Sequence, residues 1–532
     1  MKKLLFPIAV TALFASQALA QDATPNPFAY KMDVTQDIKP EITFYLNAPA
    51  VNVTLNLLDL ESGKTVCSVD LGEGTKGKNT KTVEKVDAEP GNYAWSLTVK
   101  GKDLSAPVQV ANSANNLVFQ TVNASGIAIN NNLGSPYFGN IYIASDANRM
   151  KTGERTDNGI YIVSPEFEDL TTDGKPFDGN VAWANTTSSP FRVTVAPNDD
   201  VYVCDWSDSH SGVWVMNAAN PSDDWRTVFG GTRNGDGLSS NADGVAIHGS
   251  IVTVAVTGTG DETTLYTLDE DFVSPEDASA YTLLRYDLGS STDVWTKAPS
   301  KIYTMDPTTL ANGTNKFVFD GHGGAWISQK RSQRDVYPCL MHVNLETGAI
   351  DWTSRGEDGK ESIFNASDLM AAMSVTPDGR YIVLLHANEN YVLEATYDEN
   401  GVPTVELLYT FFGPGDWTDK IDTTMRSFDT AFDAAGNIYE VFNNNTVFGG
   451  VFVYAIPKPA GENICTTTPV STEGAPNHFI VTSDISTSVA NIISNSDVAP
   501  VYYDMMGRKV NNPEAGKLYI EVRGEKATKV NF

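Results

Sequence analysis

The sequence predicts an all-β protein with three parts: an N-terminal β-sandwich, a six-bladed β-propeller and a short C-terminal β segment. Two observations lead to this prediction. A strand–turn–strand unit, usually with glycine in its polar turn, recurs six times between residues 126 and 453. Such a recurrence without a helical period is typical of a propeller. The N-terminal region instead contains short segments in which apolar and polar residues alternate, the period of half-buried strands.

The six repeats are marked by their second strands, which begin near residues 140, 201, 251, 325, 381 and 437. The steps between these markers are therefore 61, 50, 74, 56 and 56 residues. Six blades fill residues 116–458, although the longest step leaves room for a seventh. Its segments 281–286 and 294–297 serve equally well as outer strands of the third blade, so we predict six. Segments 320–327 (DGHGGAWI) and 432–439 (FDAAGNIY) resemble repeats of the NHL and SMP-30-like propellers.

Residues 1–20 have the features of a Sec signal peptide. Lys2 and Lys3 precede an apolar stretch, and the small residues Ala18 and Ala20 form a cleavage site. We therefore expect export through Sec to the periplasm, the cell surface or the medium. No later apolar run is long enough to span a bilayer. The chain charge of −29 becomes −31 once the two lysines are removed, which argues against nucleic acid as a partner.

Residues 21–115 are expected to form the sandwich, because strands of alternating polarity follow one another there at short spacing. Two segments, 53–66 (VTLNLLDLESGKTV) and 90–101 (PGNYAWSLTVKG), resemble the Ig-like domain of flagellar hook-capping proteins. That domain is common in secreted proteins of Bacteroidetes. The resemblance implies an Ig-like sandwich in an exported, multi-domain protein.

The C-terminal region changes in composition. We expect a linker at 459–484 and a β tail at 485–532, whose residues 500–532 hold six Lys/Arg against four Asp/Glu. Segments 501–510 (VYYDMMGRKV) and 516–530 (GKLYIEVRGEKATKV) are similar to type IX secretion sorting tails of Bacteroidetes proteins. The resemblance implies a role in sorting. The alternative is a small β-domain packed on the propeller.

The chain lacks the motifs of common catalytic sites. It contains no H-E-x-x-H, G-x-S-x-G, P-loop or EF-hand pattern. Its four cysteines, Cys67, Cys204, Cys339 and Cys465, form no C-x-x-C pair, so we expect no zinc site. Export permits a disulfide, whereas Cys204 and Cys339 are expected to be buried free thiols in or beside propeller strands.

A ligand face is predicted where the loops after the second strands meet at one mouth of the channel. Long polar loops on a rigid scaffold tend to carry function. Carboxylates, amides and histidines there can hold a hard cation such as calcium, and aromatic faces can stack on a sugar. Each single Asp is as readily explained by turn hydrogen bonds. The candidate ligand-binding residues are Asp146, Asp205, Trp206, His210, Arg334, His386 and Tyr391.

Three further residues have narrower expectations. His322 and His248 are placed in turns on the opposite face, where a turn residue that is exposed or capping is the simplest interpretation. Thr423 belongs to the triplet 422–424 (DTT), which resembles the acceptor pattern of Bacteroidetes O-glycosylation. We therefore name Thr423 as a candidate modification site.

The favoured function is a secreted or surface-associated binding or scaffold protein, with a glycan or an extracellular protein as partner and no cofactor. The alternative is a propeller hydrolase of the lactonase or phosphoesterase type, with a divalent cation in the channel. The SMP-30-like resemblance implies a Glu and several Asn/Asp around that metal. Asp243, Asp429 and Asn123 lie near strand starts, but no early Glu matches. Because propellers host both functional classes, the fold does not decide between them.

Overall fold

The computed structural model describes residues 23–531 except 38, 113–115, 122–123, 147–156, 185–187, 208–209, 231–237, 270–271, 273–281, 306–314, 330–336, 365–371, 387–388, 413–425, 444–449, 471–476, 488–499, 505–506 and 524–525. Regular structure in these residues consists of strands and two short 3-10 helices, Leu117–Phe119 and Gly260–Glu262. The all-β prediction is therefore confirmed. No helix of the described residues has the length and hydropathy to cross a membrane.

The N-terminal region folds into two sheets that share one core. Its strands are β1 (Ala29–Val34), β2 (Glu41–Leu46), β3 (Ala50–Leu58), β4 (Thr65–Gly74), β5 (Gly77–Thr82) and β6 (Gly91–Lys100). One sheet has the order β1-β2-β5, and the other contains β6-β3-β4. Alternate residues such as Ile42 and Phe44 point inward and join Leu55, Trp95 and Leu97 in the core. Each such burial contributes about 1.5–3 kcal/mol to folding.

Among the described residues, the repeat region forms six sheets of three or four strands and a separate two-stranded pair. The strands before and within the first three are β7 (Val108–Ala111), β8 (Ala124–Ile129), β9 (Ile141–Ser145), β10 (Gly159–Val163), β11 (Arg192–Val195), β12 (Val201–Asp205), β13 (Gly212–Met216), β14 (Trp225–Gly230), β15 (Ser239–Ser240), β16 (Ala246–His248), β17 (Ile251–Thr257), β18 (Thr264–Asp269), β19 (Thr282–Asp287) and β20 (Lys301–Thr304). The last three sheets add β21 (Asn315–Phe319), β22 (Gly324–Gln329), β23 (Leu340–Asn344), β24 (Ile350–Thr353), β25 (Ala372–Val375), β26 (Tyr381–His386), β27 (Glu389–Tyr397), β28 (Pro403–Phe412), β29 (Arg426–Phe432), β30 (Ile438–Asn443) and β31 (Gly450–Ala455).

The first strands of these sheets form a ring. The sheets are β8–β10, β11–β14, β17–β20, β21–β24, β25–β28 and β29–β31 with β7. Strands β8, β11, β17, β21, β25 and β29 contact one another in this order, and β29 returns to contact β8. This arrangement of antiparallel sheets around a central axis is that of a β-propeller.

The last sheet is completed by a strand from before the repeats. Strand β7 pairs with β31, with Ala111 opposite Val453 and Gln109 opposite Tyr454. Residues 108–111 were expected to belong to the sandwich and instead belong to the propeller. The closure joins the two ends of the repeat region, and β7 becomes the outermost strand of the last sheet.

The third sheet begins later than the repeat pattern suggested. Residues 251–254 were expected to be a second strand, but β17 is the first strand of its sheet. Segment 281–286 supplies most of β19, the third strand of the same sheet, and the separate pair β15-β16 precedes it. His248 therefore lies in β16 and is fully buried against Phe229, with ring centroids 4.8 Å apart. The expectation of a simple turn histidine at His248 was wrong.

After the propeller the chain returns to the N-terminal sandwich. Strands β32 (Ile464–Thr467) and β33 (Phe479–Val481) both pair with β6. The segment 459–484, expected to be a linker, thus completes a sheet, and Ile485 enters the same core. An apolar strand pairs with an available sheet edge because its backbone N–H and C=O groups are satisfied there.

A buried asparagine cluster joins the sandwich to the propeller. The Asn26 N–H donates to Asn437 Oδ1 at 2.7 Å, and Asn437 Nδ2 donates to the Asn26 carbonyl at 2.9 Å. Asn463 Nδ2 donates to Asn26 Oδ1 at 3.0 Å. Phe28 packs beside these bonds on Phe138, with ring centroids 5.5 Å apart. The contact is buried and specific, because three asparagines that are distant in sequence satisfy one another.

The C-terminal residues form a small sheet of their own. Strands β34 (Val501–Tyr503), β35 (Lys509–Val510), β36 (Leu518–Arg523) and β37 (Lys526–Asn531) have the order β35-β34-β36-β37. Tyr519 is buried, whereas Leu518 is 40% exposed. Segments 501–510 and 516–530 are therefore joined in one sheet.

Candidate functional site

The loop after β12 of the second sheet is organised around one buried carboxylate. Asp205 ends β12 and is fully buried. Its Oδ2 accepts hydrogen bonds from Ser189 Oγ at 2.5 Å and is 3.0 Å from His210 Nδ1. Its Oδ1 accepts from the Ser207 N–H at 2.6 Å. The buried charge is satisfied by these donors, and it fixes the loop that carries His210.

Serine, histidine and aspartate meet here without forming a nucleophilic triad. Ser189 Oγ donates to Asp205 and accepts from the Ala184 N–H at 2.8 Å. His210 also bonds to Asp205 and not to Ser189, so the imidazole is not placed to take the serine proton. Nucleophilic catalysis requires that base–nucleophile contact. Asp205 therefore positions His210, with its Nδ1 toward the carboxylate and its Nε2 left for another partner.

His210 forms part of an aromatic cluster. Its ring stacks on Trp214 with centroids 4.8 Å apart and planes 6° apart. Trp183 meets Trp214 edge to face at 5.1 Å. Trp214 lies in β13 with its side chain toward the first sheet, while its neighbours Val213 and Val215 face the third. Alternation along the strand thus directs the indole to this side.

A cleft of about 270 Å³ opens beside this cluster. Its lining consists of Gly179, Asn180, Val181, Ala182, His210, Trp214, Trp225, Arg226 and Thr227. In the part of the chain that the structure describes, the first sheet beside the cleft has three strands, and Phe177 adds an isolated bridge to Ile160 at its edge. Gly179 adopts φ +61 and lies on Trp225, where a Cβ atom would come within 2.3 Å of the indole. Glycine therefore allows the edge segment to approach the second sheet closely.

A second cleft, of about 430 Å³, lies on the other side of β14. Its lining includes Phe229, Asn241, Asp243, His248 and Trp295. Asp243, one of the carboxylates considered for a metal, is an exposed turn residue here and does not face the channel. The two clefts differ in charge, since Asp243 contributes a carboxylate to this one.

The channel itself is occupied by charged side chains from alternate sheets. Asp429 of the sixth sheet forms an ion pair with Lys316 of the fourth and lies 3.7 Å from Arg192 Nη1 of the second. The Ile127 N–H donates to Asp429 Oδ2 at 3.0 Å. Burial lowers the pKa of Lys316, and the Asp429 carboxylate opposes that effect. A divalent cation at Asp429 would therefore compete with a lysine that already neutralises it.

Two other predicted residues, Asp146 and Trp206, lie beside Asp205 and His210, because Asp146 accepts from the Ser188 N–H and the Trp206 N–H donates to the Ser188 carbonyl at 3.1 Å. The half-buried Trp206 packs on Phe191 at 5.0 Å, and Asp146 is buried with its Oδ2 accepting from the Ser188 N–H at 2.9 Å. Tyr391 is 1% exposed and donates to Glu389 Oε2 at 3.1 Å, so it offers no stacking surface to a ligand. Asp205 and His210 do meet. Arg334, Thr423 and Asn123 and the side chain of His386 lie outside the described residues.

The structure tests the expectations for the turn residue His322 and for the cysteine thiols. His322 is exposed in its turn, where it stacks on Tyr397 at 4.2 Å. Cys204 and Cys339 are buried free thiols, which confirms the expectation, and Cys67 and Cys465 are also free. Burial raises the pKa of Cys204 to about 12, so its thiol is unreactive in the folded chain.

Sequence reasoning missed Trp183, Trp214, Trp225 and Arg226. These residues lie in the third and fourth strands of the second sheet and in the edge segment of the first, which the two-strand repeat did not cover. The signal was the density of tryptophan between residues 183 and 225, four of the nine in the chain.

Comparisons with known proteins give distant structural similarities. No protein-family model and no curated protein matches the chain. A gluconolactonase from Xanthomonas campestris is 12% identical, with 70% of this chain and 100% of that chain covered and a TM-score of 0.35. An auxiliary nutrient binding protein from Bacteroides ovatus is 11% identical, with 81% and 98% covered and a TM-score of 0.39. A glucose dehydrogenase is 12% identical, with 64% and 98% covered and a TM-score of 0.35. At these TM-scores the similarities carry no argument about function.

Proposed function

We propose that this protein is an exported binding protein, and that its propeller binds a saccharide in the cleft between the first two sheets. The observation that carries the proposal is the combination of Trp214, Trp225 and His210 rings with the polar side chains of Asn180 and Thr227 in one cleft. Saccharide sites combine aromatic area with a few placed hydrogen-bonding groups.

The proposal also includes the architecture that the sequence predicted. The six sheets are proposed as six blades, the N-terminal sandwich as an Ig-like domain, and the C-terminal sheet as a sorting tail of a Bacteroidetes secreted protein. Residues 1–20 are proposed as the Sec signal that directs the chain to the cell surface or beyond. In this arrangement the sandwich is held against the propeller, because the asparagine cluster at Asn26 joins it to the sixth sheet.

Binding can be tested by isothermal titration calorimetry of residues 21–532 against a panel of neutral and acidic oligosaccharides. Trp225 is half-buried and lines the cleft, so Trp225→Ala should weaken binding roughly 5- to 100-fold. Trp295→Ala removes an indole of the same size from the second cleft and should leave affinity unchanged.

Thermal denaturation of both variants separates lost binding from lost folding. The proposal fails if no saccharide binds, or if Trp225→Ala and Trp295→Ala bind equally well. The hydrolase alternative would instead be supported by a divalent cation that raises the melting temperature of the chain and loses this effect in Asp429→Asn.

A further inference from the structure

His210 is held in one orientation on the wall of the cleft. Its Nδ1 lies 3.0 Å from Asp205 Oδ2, and its ring stacks on Trp214 with planes 6° apart. Trp183 meets the same ring at 75°, with centroids 6.2 Å apart. The side chain is 25% exposed and lines the cleft. A flip of the imidazole would break its contact with Asp205, so the two ring nitrogens have fixed and different roles.

The hydrogen bonds of Asp205 determine which nitrogen of His210 carries the proton. Asp205 Oδ1 accepts from the Ser207 N–H at 2.6 Å, and Oδ2 accepts from Ser189 Oγ at 2.5 Å. Ser189 Oγ itself accepts from the Ala184 N–H, so its own proton is directed to Asp205. An ionised carboxylate only accepts hydrogen bonds, and the proton between Asp205 and His210 therefore belongs to Nδ1. In the neutral imidazole, Nε2 then carries a lone pair and acts as an acceptor.

Nε2 is the selective polar atom of the cleft. No residue that the structure describes forms a hydrogen bond with it. Thr227 lies opposite Trp214 in the β13–β14 register and shares its face, and Asn180 lines the cleft from the edge segment of the first sheet. A hydroxyl and an amide can each donate or accept a hydrogen bond, whereas Nε2 of the neutral ring can only accept one.

From this geometry we infer that the ligand is a neutral saccharide, one of whose hydroxyl groups donates a hydrogen bond to Nε2 of His210. This inference rests on the proposed saccharide-binding function and specifies its ligand class. A carboxylate or sulfate at the same place would face the lone pair of Nε2 and would bind there only if the imidazole gained a second proton. Stacking on the indole rings is open to neutral and acidic sugars alike, so His210 decides between them.

The position of the proton can be observed before any ligand is added. A nitrogen-15 spectrum of residues 21–532 labelled at histidine separates protonated from unprotonated ring nitrogens, and His210→Phe identifies the His210 signals. At about pH 8, where an ordinary imidazole is neutral, His210 should be protonated at Nδ1 and unprotonated at Nε2. His322 is the internal control, because its Nε2 lies 3.2 Å from the Asp378 carbonyl and should carry the proton. A proton on Nε2 of His210 would refute the inference and leave the saccharide proposal standing.

The same spectra are then recorded with maltotriose, cellotriose, mannotriose and galactotriose, and with trigalacturonic acid as the acidic ligand. A neutral trisaccharide that binds should shift the Nε2 signal of His210 and leave this nitrogen unprotonated. Three results would contradict the inference: protonation of Nε2 on binding, tighter binding of trigalacturonic acid, or binding that leaves the Nε2 signal unchanged.

Two histidine variants complete the test by calorimetry. His210→Phe keeps an aromatic ring beside Trp214 and removes the acceptor, so affinity for the neutral trisaccharide should fall about 3- to 10-fold. His322→Phe makes the same change in a turn that does not line the cleft and should leave affinity unchanged. Equal affinities of the two variants would exclude the role of His210 without affecting the saccharide proposal. If no saccharide binds, the proposal and this inference both fail.

Discussion

Glu440 provides a quantitative test of the packing between the fifth and sixth sheets. It lies in β30 between Ile438 and Phe442, which belong to the apolar cluster packed there, and it is fully buried. Neither carboxyl oxygen has a hydrogen-bond partner among the described residues. Burial raises the pKa of Glu440 to about 8, and the nearby Asn390 amide opposes the rise without reaching hydrogen-bond geometry. The side chain is therefore neutral in the folded protein at pH 7.

The size of the effect follows from proton linkage. The folded-state pKa of about 8 exceeds the ordinary value of 4.5 by about 3.5 pH units. At about 1.36 kcal/mol per unit, ionisation of Glu440 is disfavoured in the folded state by about 5 kcal/mol. Below pH 4.5 the Glu440 side chain is protonated in both the folded and the unfolded chain, so its ionisation does not lower stability. As the pH rises from 4.5 to about 8, the carboxyl ionises only in the unfolded chain, and the folded state progressively loses up to about 5 kcal/mol of stability.

Glu440→Gln keeps the shape of the neutral acid and removes the titration. We expect the free energy of unfolding of this variant, relative to the original chain, to increase by about 1.4 kcal/mol per pH unit between pH 5 and 8. Urea unfolding followed by tryptophan fluorescence measures it, because eight of the nine tryptophans lie in 116–458. Glu406→Gln makes the same change at an exposed position of β28 and serves as the control. A difference between Glu440→Gln and the original chain that stays constant over this pH range would refute the reasoning.

Two further predictions concern buried charges. Burial alone would lower the pKa of His342, but hydrogen bonds to Asp320 at 2.9 Å and Asp351 at 2.6 Å raise it above 6.5. The stabilisation by protonated His342 is present below pH 6.5 and is lost above the raised pKa. His342→Gln should therefore lower the free energy of unfolding in urea more at pH 6 than at pH 9. Equal losses at the two pH values would contradict this prediction. Lys316→Met should destabilise the chain by about 3–5 kcal/mol because Asp429 loses its ion pair. Adding Asp429→Asn to the Lys316→Met chain should recover most of the lost free energy of unfolding, measured in urea. If the double variant is no more stable than Lys316→Met alone, the two residues are not coupled.

The sequence determined the strands and their repetition. Five of the six expected second strands, such as those near residues 140 and 201, are second strands of their sheets, because a buried strand needs β-branched and aromatic residues and its turn needs glycine or aspartate. The buried cysteines Cys204 and Cys339 followed from the same local pattern. These features depend on neighbours in the chain, which the sequence displays directly.

Only the tertiary structure decided which distant segments pair and which side chains meet. Nothing local to 108–111 or 464–467 shows that one closes the propeller and the other extends the sandwich, because an edge strand is satisfied by any available partner with the right register. Likewise Tyr391 follows its strand much as His210 does, yet one is enclosed between sheets and the other faces a cleft. The cleft is lined by the segment after the first sheet, where Gly179 lies against Trp225 of the second sheet. That arrangement arises from packing between sheets, which the order of residues along the chain does not reveal.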